Sequence, residues 1–391
     1  MKQNILCLDW SNLAFRSLYM ANGFGSSCSY NNQEEINNYI AKMAQDLALI
    51  LRIFNPAKVV FAADSKHSWR KDVLDTYKSN RVKSETINWD NVYGALDKFK
   101  QHLKNMGFVF VETEHAEADD LMALTKELVF NDPDFKNYNL MLVSADADIR
   151  QLIEFKESTE QYCFVFNEIG RGPGGKRHIY TDQKGIDWYN NVSSTTSIFN
   201  MTINMDRQYL QNIIANNKKI VIEATDPANI LLSKVFCGDD GDAVPAFYDW
   251  YGNKGNKVRI TNSKFVKILG LLNVHNIDDM DLNVDSLKET IETVIKREIT
   301  DIDVKERYMR QKKLVQLKSD IFPDFISSYK PTIKTLILNE SIPALNDIKM
   351  KDLLKDCDEF NVILQKDRTK NADVFKGLNK YIDNLNLEKL F

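Results

Sequence analysis

The chain has 391 residues, 43% of them apolar, which gives room for two domains and a real core and excludes a disordered or fibrous polypeptide. Its 51 basic and 55 acidic residues nearly cancel to a net charge of −4, excluding nucleic-acid binding through bulk positive charge and leaving only local patches for that role. Five cysteines without CxxC spacing suit reduced thiols, no leader peptide opens the sequence, and no apolar run approaches the ~18 residues of a membrane span, so a cytoplasmic protein with no membrane partner is expected.

Four short apolar runs each end in acids: NILCLD (4–9), VVFAAD (59–64), FVFVETEHAE (108–117) and NLMLVSADAD (139–148). They are apolar without strict alternation, as strands buried on both faces are. Helical periodicity fills the gaps, over 34–54, 89–105 and 119–130. Strands alternating with helices predict an α/β fold with a mainly parallel central sheet flanked by helices. Residues 150–225 read differently, with a glycine-rich hairpin or loop at NEIGRGPGGKRHIYT and polar connection at NNVSSTTSIFN. From 226 the pattern is largely helical (226–236, 263–272, 284–298, 302–318), which predicts a smaller, mostly helical C-terminal domain.

In parallel sheets, ligands gather outside the carboxyl ends of the strands, and there all four runs deliver carboxylates. The candidates are Asp9, Asp64, Glu117, Asp119, Asp120, Asp146, Asp148, Asp239, Asp240 and Asp242. Any one of them alone reads more readily as a helix cap or turn residue than as a ligand. Together they would repel one another unless cations neutralised them, and oxygen-only donors favour a hard ion, Mg²⁺ or Mn²⁺, over zinc. Paired metals about 3.5–4 Å apart suit in-line displacement at a phosphodiester. Residues 66–83, KHSWRKDVLDTYKSNRVK, set six Lys/Arg against two Asp with Trp69 and Tyr77 between them, a pattern that fits a solvated amphipathic helix or a nucleic-acid contact.

In this order the residues resemble the 5′-nuclease superfamily: flap endonucleases, the 5′-nuclease domains of bacterial polymerases and phage 5′→3′ exonucleases. LDWSNLAFRSLY looks like the opening D-G-x-N-L-x-F-R motif, and FAADSKHSWRKDVLDTYKSNR is similar to F-D-x₅-W-R…Y-K-x-x-R. Glu117-Ala118-Asp119-Asp120 matches the E-A-D-D spacing, SADADIRQL resembles S-x-D-x-D-x-x-Q-L, and CGDDGDAVPAF resembles G-D-x-x-D-N-I-P-G. The resemblance implies a divalent-metal-dependent, structure-specific 5′ nuclease with a 5′-nuclease/PIN-like core, acting as 5′→3′ exonuclease and flap endonuclease. It also implies ribonuclease H-like activity on RNA–DNA hybrids and RNA primer removal in replication. A catalytically inactive scaffold or structure-specific DNA-binding protein is the alternative.

Two Mg²⁺ ions, with Mn²⁺ as substitute, would be held by Asp9, Asp64, Glu117, Asp119 and Asp120 and by Asp146, Asp148, Asp239 and Asp242. Lys78 and Arg81 would be catalytic at the scissile phosphate. Arg16, Arg70, Lys71, Tyr77, Lys78, Arg81, Lys83, Lys254, Lys257 and Arg259 would bind nucleic acid. The implied division is a nuclease core over 1–225, with a helical arch at about 65–90 and an atypical insertion at about 155–220. A helical DNA-binding domain would follow over 226–391, with a divergent helix-turn-helix-like module at about 236–272. The family's G-x-G-x-K-T-A turn, which holds K⁺, is replaced by FYDWYGNKGNKVRITNSKFVKILGLL. Expected partners are DNA and RNA–DNA duplexes with 5′ ends or flaps, a single-stranded DNA-binding protein, and a sliding clamp met by the terminal NLNLEKLF. A monomer is expected, in the host cytoplasm if phage-encoded.

Overall fold

The computed structural model describes residues 2–21, 28–171, 175–190, 205–251, 257–339 and 353. The first apolar run forms β1 (Gln3–Asp9), which passes directly into α1 (Trp10–Met20). Helix α2 (Gln33–Phe54) then leads to β2 (Lys58–Ala62), the short α3 (Arg70–Val73) and α4 (Trp89–Asn105). Next come β3 (Val109–Val111), α5 (Ala118–Asn131), β4 (Tyr138–Val143) and β5 (Glu154–Lys156). Strands β6 (Gln161–Arg171) and β7 (Lys176–Thr181), helices α6 (Gln183–Asn190) and α7 (Met205–Asn216), and β8 (Ile220–Ala224) complete the sheet region.

The sheet runs β3-β2-β1-β4-β6-β7-β8, with β5 paired to β6. Strands β3, β2, β1, β4 and β6 are mutually parallel, β6–β7 is antiparallel and β7–β8 parallel. The predicted α/β class therefore holds. The strands lack polar alternation because both faces are covered. Leu6, Leu8, Val59 and Phe61 face a core shared with α1, α2 and α4, while Ile5, Cys7, Val60 and Ala62 face one shared with α5. Among the described residues, no helix is long and apolar enough to cross a membrane.

A second body follows: α8 (Pro227–Cys237), a hairpin of β9 (Asp249–Tyr251) and β10 (Lys257–Arg259), α9 (Asn262–Leu272), α10 (Ile277–Leu282), α11 (Leu287–Ile295) and α12 (Val304–Val315). It has its own core of Leu232, Val235, Phe236, Phe265, Ile268, Ile291 and Tyr308. The chain then returns to the sheet body through α13 (Asp324–Ser327) and α14 (Lys330–Asn339).

Four expectations change. The stretch expected as an insertion, about 155–220, carries part of the central sheet: β6, β7 and β8 extend it, and β6 pairs directly with β4. No long helical arch stands over 65–90. That stretch holds only the four-residue α3 and a series of turns, because Val73, Leu74 and Tyr77 pack into the second core and the Lys78 N–H donates to the Asp242 carbonyl at 2.8 Å. The module expected at 236–272 is helix, β-hairpin, helix rather than helix-turn-helix, since Lys257–Arg259 pair with Asp249–Tyr251. The second domain does not run on from 226 to the end. Leu317, Phe322, Ile326, Ile333 and Ile337 belong to the core around α5. The terminal NLNLEKLF lies outside the described residues.

Candidate active site

Strand β1 ends at Asp9, which also caps α1: its Oδ1 accepts the Asn12 N–H at 2.9 Å and its Oδ2 the Ser144 hydroxyl at 3.2 Å. Beyond β2, Asp64 accepts the Ala118 N–H at 2.8 Å, tying the second strand end to the start of α5. Beyond β4, the Asp146 carboxylate accepts the Asp148 N–H at 2.9 Å, a turn that turns both acids toward the same edge. Asp239 and Asp242 lie in a loop closed by the Asp239–Val244 bridge. Asp119, Asp148, Asp239 and Asp242 line one narrow cleft with Arg70, Tyr77, Val244, Leu314, Val315 and Leu317.

The electrostatics follow from crowding. Burial, then Asp64 and Asp146, push Asp9 up to about 7. Burial, then Asp146 and Asp9, hold Asp119 well above the usual carboxylate range. Burial and Asp146 raise Asp148 to about 6, although Lys234 opposes the shift. Asp146 is thus the common neighbour of three acids. Lys234, which the sequence reading missed, lies 2.7 Å from Asp148 and also pairs with Asp239, linking the two halves of the acidic set. It sits in the apolar helix α8, five residues before Asp239, and basicity on a buried-looking helix was the only available signal.

Glu117 and Asp120 serve a different purpose. Arg70, only 2% exposed, donates to Glu117 and Asp120 at 2.7 Å each and to the Leu314 carbonyl at 2.8 Å. Asp120 also accepts the Trp69 indole N–H and the Glu117 N–H, both at 3.0 Å. Both its oxygens accept hydrogen bonds here, so Asp120 caps α5 and pairs with Arg70. Glu117 also meets the Lys78 ammonium and, at 3.0 Å, the Tyr77 hydroxyl. Burial would raise its carboxyl, yet Arg70 and Lys78 hold it down at about 2.

The proposed nucleic-acid contacts divide similarly. Lys78 and Arg81 reach the site: Lys78 pairs with Glu117 and lies 3.8 Å from Asp242, and Arg81 pairs with Asp242. Arg70 is enclosed by its partners, and Tyr77 is buried with its hydroxyl shared between Glu117 and Asp242, so neither is free to meet bases. Arg16 faces a separate cavity, pairing with Asp46 at 3.0 Å and Glu168 at 3.4 Å. Lys71 and Lys83 are exposed, the latter over the Trp89 and Tyr93 rings. Arg259 forms an exposed two-pronged pair with Asp240. Lys257 is placed in β10 by its backbone, and Lys254 lies outside the described residues.

A hard divalent cation suits this donor set, which is all oxygen and carries repulsion that positive charge would relieve. Among the described residues, however, no three His, Cys, Asp or Glu side chains already ring one point as ligands would. Asp9, Asp64, Asp119, Asp146 and Asp148 are the residues able to hold such ions at the strand ends, with Asp239 and Asp242 on the facing loop.

Backbone geometry in that loop is demanding. Gly238 has φ of 74°, and a Cβ there would meet the Val244 carbonyl oxygen at 2.5 Å and the Ala246 nitrogen at 2.7 Å. Gly238→Ala is therefore expected to cost about 2 kcal/mol or more and to displace Asp239. Thermal unfolding together with cleavage rate checks both effects.

Residues 4–183 match the family model of the 5′-3′ exonuclease, N-terminal resolvase-like domain. No curated protein matches the chain in sequence. Among solved structures it is similar to the D15 flap endonuclease of bacteriophage T5 in a pseudo-enzyme–product complex with DNA and metal ions. That likeness has a TM-score of 0.52 at 16% identity, over 86% of this chain and 100% of that one. The T5 D15 protein co-crystallised with metal ions is similar to the same degree, with TM-score 0.52, 16% identity and coverage of 86% and 100%. At that identity the likeness is one of fold.

Proposed function

We infer, from a chain whose residues 4–183 match the 5′-3′ exonuclease N-terminal resolvase-like family model, that it belongs to the 5′-nuclease superfamily and is a divalent-metal-dependent 5′ nuclease acting on flaps and 5′ ends. One observation carries the reading. Asp9, Asp119 and Asp148, from separate strand ends, are crowded until they resist ionisation, with the 239–242 loop beside them and Lys78 and Arg81 at the margin. Asp9, Asp64, Asp119, Asp146, Asp148, Asp239 and Asp242 are the proposed ligands for two Mg²⁺ ions, for which Mn²⁺ would substitute. Such ions, when bound, ready a water and stabilise the leaving oxygen of a phosphodiester.

The chain's own groups then have definite tasks. Lys78 stays protonated, since Glu117 and Asp242 outweigh the effect of burial. It presents fixed positive charge where a scissile phosphate must approach the acids. Arg70 fixes Glu117, and Glu117 fixes Lys78. RNA primer removal during replication, activity on RNA–DNA hybrids, a clamp or single-stranded DNA-binding protein as partner, and a cytoplasmic site of action complete the proposal. The relatives' complexes with DNA and metal ions support the substrate class.

The test is cleavage of 5′-labelled flap, nicked and RNA-primed duplexes in Mg²⁺ and in EDTA. Mg²⁺-dependent release of 5′ products is expected, and equal cleavage in EDTA would sink the reading. Lys78→Ala is expected to lower kcat about 100- to 1000-fold. A change confined to KM would instead make Lys78 a binding residue.

A further inference from the structure

The loop that carries Asp239 and Asp242 holds a shape that its own sequence resists. Gly238 takes φ of 74° and Ala243 φ of 55°, so a left-handed alanine stands between Asp242 and Val244. An alanine keeps that conformation only where its surroundings impose it. The turn supplies part of the hold. Asp239 and Val244 exchange backbone hydrogen bonds at 2.8 and 2.9 Å, and the Asp239 carboxylate accepts the Gly241 N–H at 2.8 Å. Beyond Val244 the loop backbone is met by one face of α12. Arg307 donates to the Ala246 and Phe247 carbonyls at 3.0 Å each, and Gln311, one helical turn on, donates to the Pro245 carbonyl. Two side chains thus brace three successive carbonyls, and one of them carries a fixed positive charge.

Gln311 is fully buried, and among the described residues its Oε1 has no hydrogen-bond partner. A buried amide with an unmet oxygen is a cost to the fold, and what it returns here is the bond to the loop. Neither Arg307 nor Gln311 lines the cleft. The same helix reaches Leu314, whose carbonyl accepts Arg70, the partner of Glu117 and Asp120. One helix therefore touches the backbone of the acidic loop and the counter-charge of the α5 acids. We propose that α12 sets Asp239 and Asp242 against the strand-end acids, with Arg307 and Gln311 as positioning residues that act through the 245–247 carbonyls. The inference rests on the nuclease reading, in which Asp239 and Asp242 help to hold one of the two ions. Groups that orient metal ligands from behind typically change metal affinity by about 10- to 100-fold.

The experiment uses the full chain with Arg307→Met and Gln311→Met, which keep bulk and remove the donors, and with Arg307→Lys as the conservative variant. Hydrogen exchange in EDTA reads the loop without metal. Peptides covering 239–244 are expected to exchange about tenfold faster in both methionine variants, while those of β1 and β4 stay within about twofold of wild type. Calorimetric titration with Mn²⁺ is expected to show one ion bound about tenfold more weakly and the other unchanged. Arg307→Lys is expected to fall between wild type and Arg307→Met, and it carries the test if a methionine variant fails to fold. Loop exchange within about twofold of wild type overturns the inference, as do equal gains in loop and strands or equal losses at both ions. A wild type that binds no Mn²⁺ sinks the nuclease reading instead, and the exchange rates alone then decide whether α12 braces the loop.

Discussion

Asp146→Asn is expected to reduce cleavage at least about 1000-fold while leaving binding of uncut flaps nearly unchanged. The same substitution is expected to raise the melting temperature of the protein in EDTA. Asp146 is the acid that pushes Asp9, Asp119 and Asp148 upward, so neutralising it relieves three repulsions at once. Stabilisation by Mg²⁺ should shrink in the variant for the same reason.

The pH dependence has a definite sign. Asp9 at about 7 and Asp148 at about 6 bind protons more tightly folded than unfolded, where a carboxyl titrates near 4. Folding in EDTA is therefore strengthened as pH falls from about 7 toward 4 and weakened as pH rises through the same window. Metal stabilisation runs the opposite way, because protons compete for the same oxygens. Denaturation midpoints at pH 5 and pH 8, each with and without Mg²⁺, measure both slopes. A metal effect larger at pH 5 would contradict the assignment of Asp9 and Asp148 as ligands.

Arg70→Ala is expected to cost about 3–5 kcal/mol, the largest stability loss predicted for a single side chain here. The guanidinium is the buried counter-charge of both Glu117 and Asp120, and removing it leaves two carboxylates enclosed against Trp69 and Tyr77. It also frees the Leu314 carbonyl, so both walls of the cleft loosen together. Urea unfolding gives the magnitude. A loss below about 1 kcal/mol would mean that water enters and replaces the guanidinium.

Much of the first half was legible because one pattern repeated. The expected runs at 4–9, 59–64, 108–117 and 139–148 became β1 to β4, and the helices expected at 34–54, 89–105 and 119–130 became α2, α4 and α5. Each acid followed an apolar run, and burying those runs in one parallel sheet brings their ends to one edge. Strand β6 was harder to see. YCFVF at 162–166 is as apolar as the other strands, but the glycines behind it suggested connection rather than continued sheet.

Arg70 was misread for a general reason. A cation within six basic residues looks solvated, and the partners that bury it are 47 and 244 residues away. Asp120 illustrates a limit of spacing arguments. Glu117, Asp119 and Asp120 are equally crowded in sequence, yet helix geometry turns Asp120 back onto the Glu117 N–H and into the Arg70 pair. The arch expectation failed because Leu74 and Tyr77 found a hydrophobic core to enter, which no local pattern in 65–90 could disclose.

The return of the chain through α13 and α14 sets an order on synthesis. Ile333 and Ile337 cover the surface that α5 leaves bare, and Lys330 and Lys334 fasten there to Glu127 and Asp132. A ribosome releases α5 some two hundred residues before those partners emerge. Until then the body that carries four of the five acidic motifs has an open flank, and the second body must be made in between. A premature stop after 242 but before 330 would thus spare every acid of the cleft and still leave the sheet body unfinished.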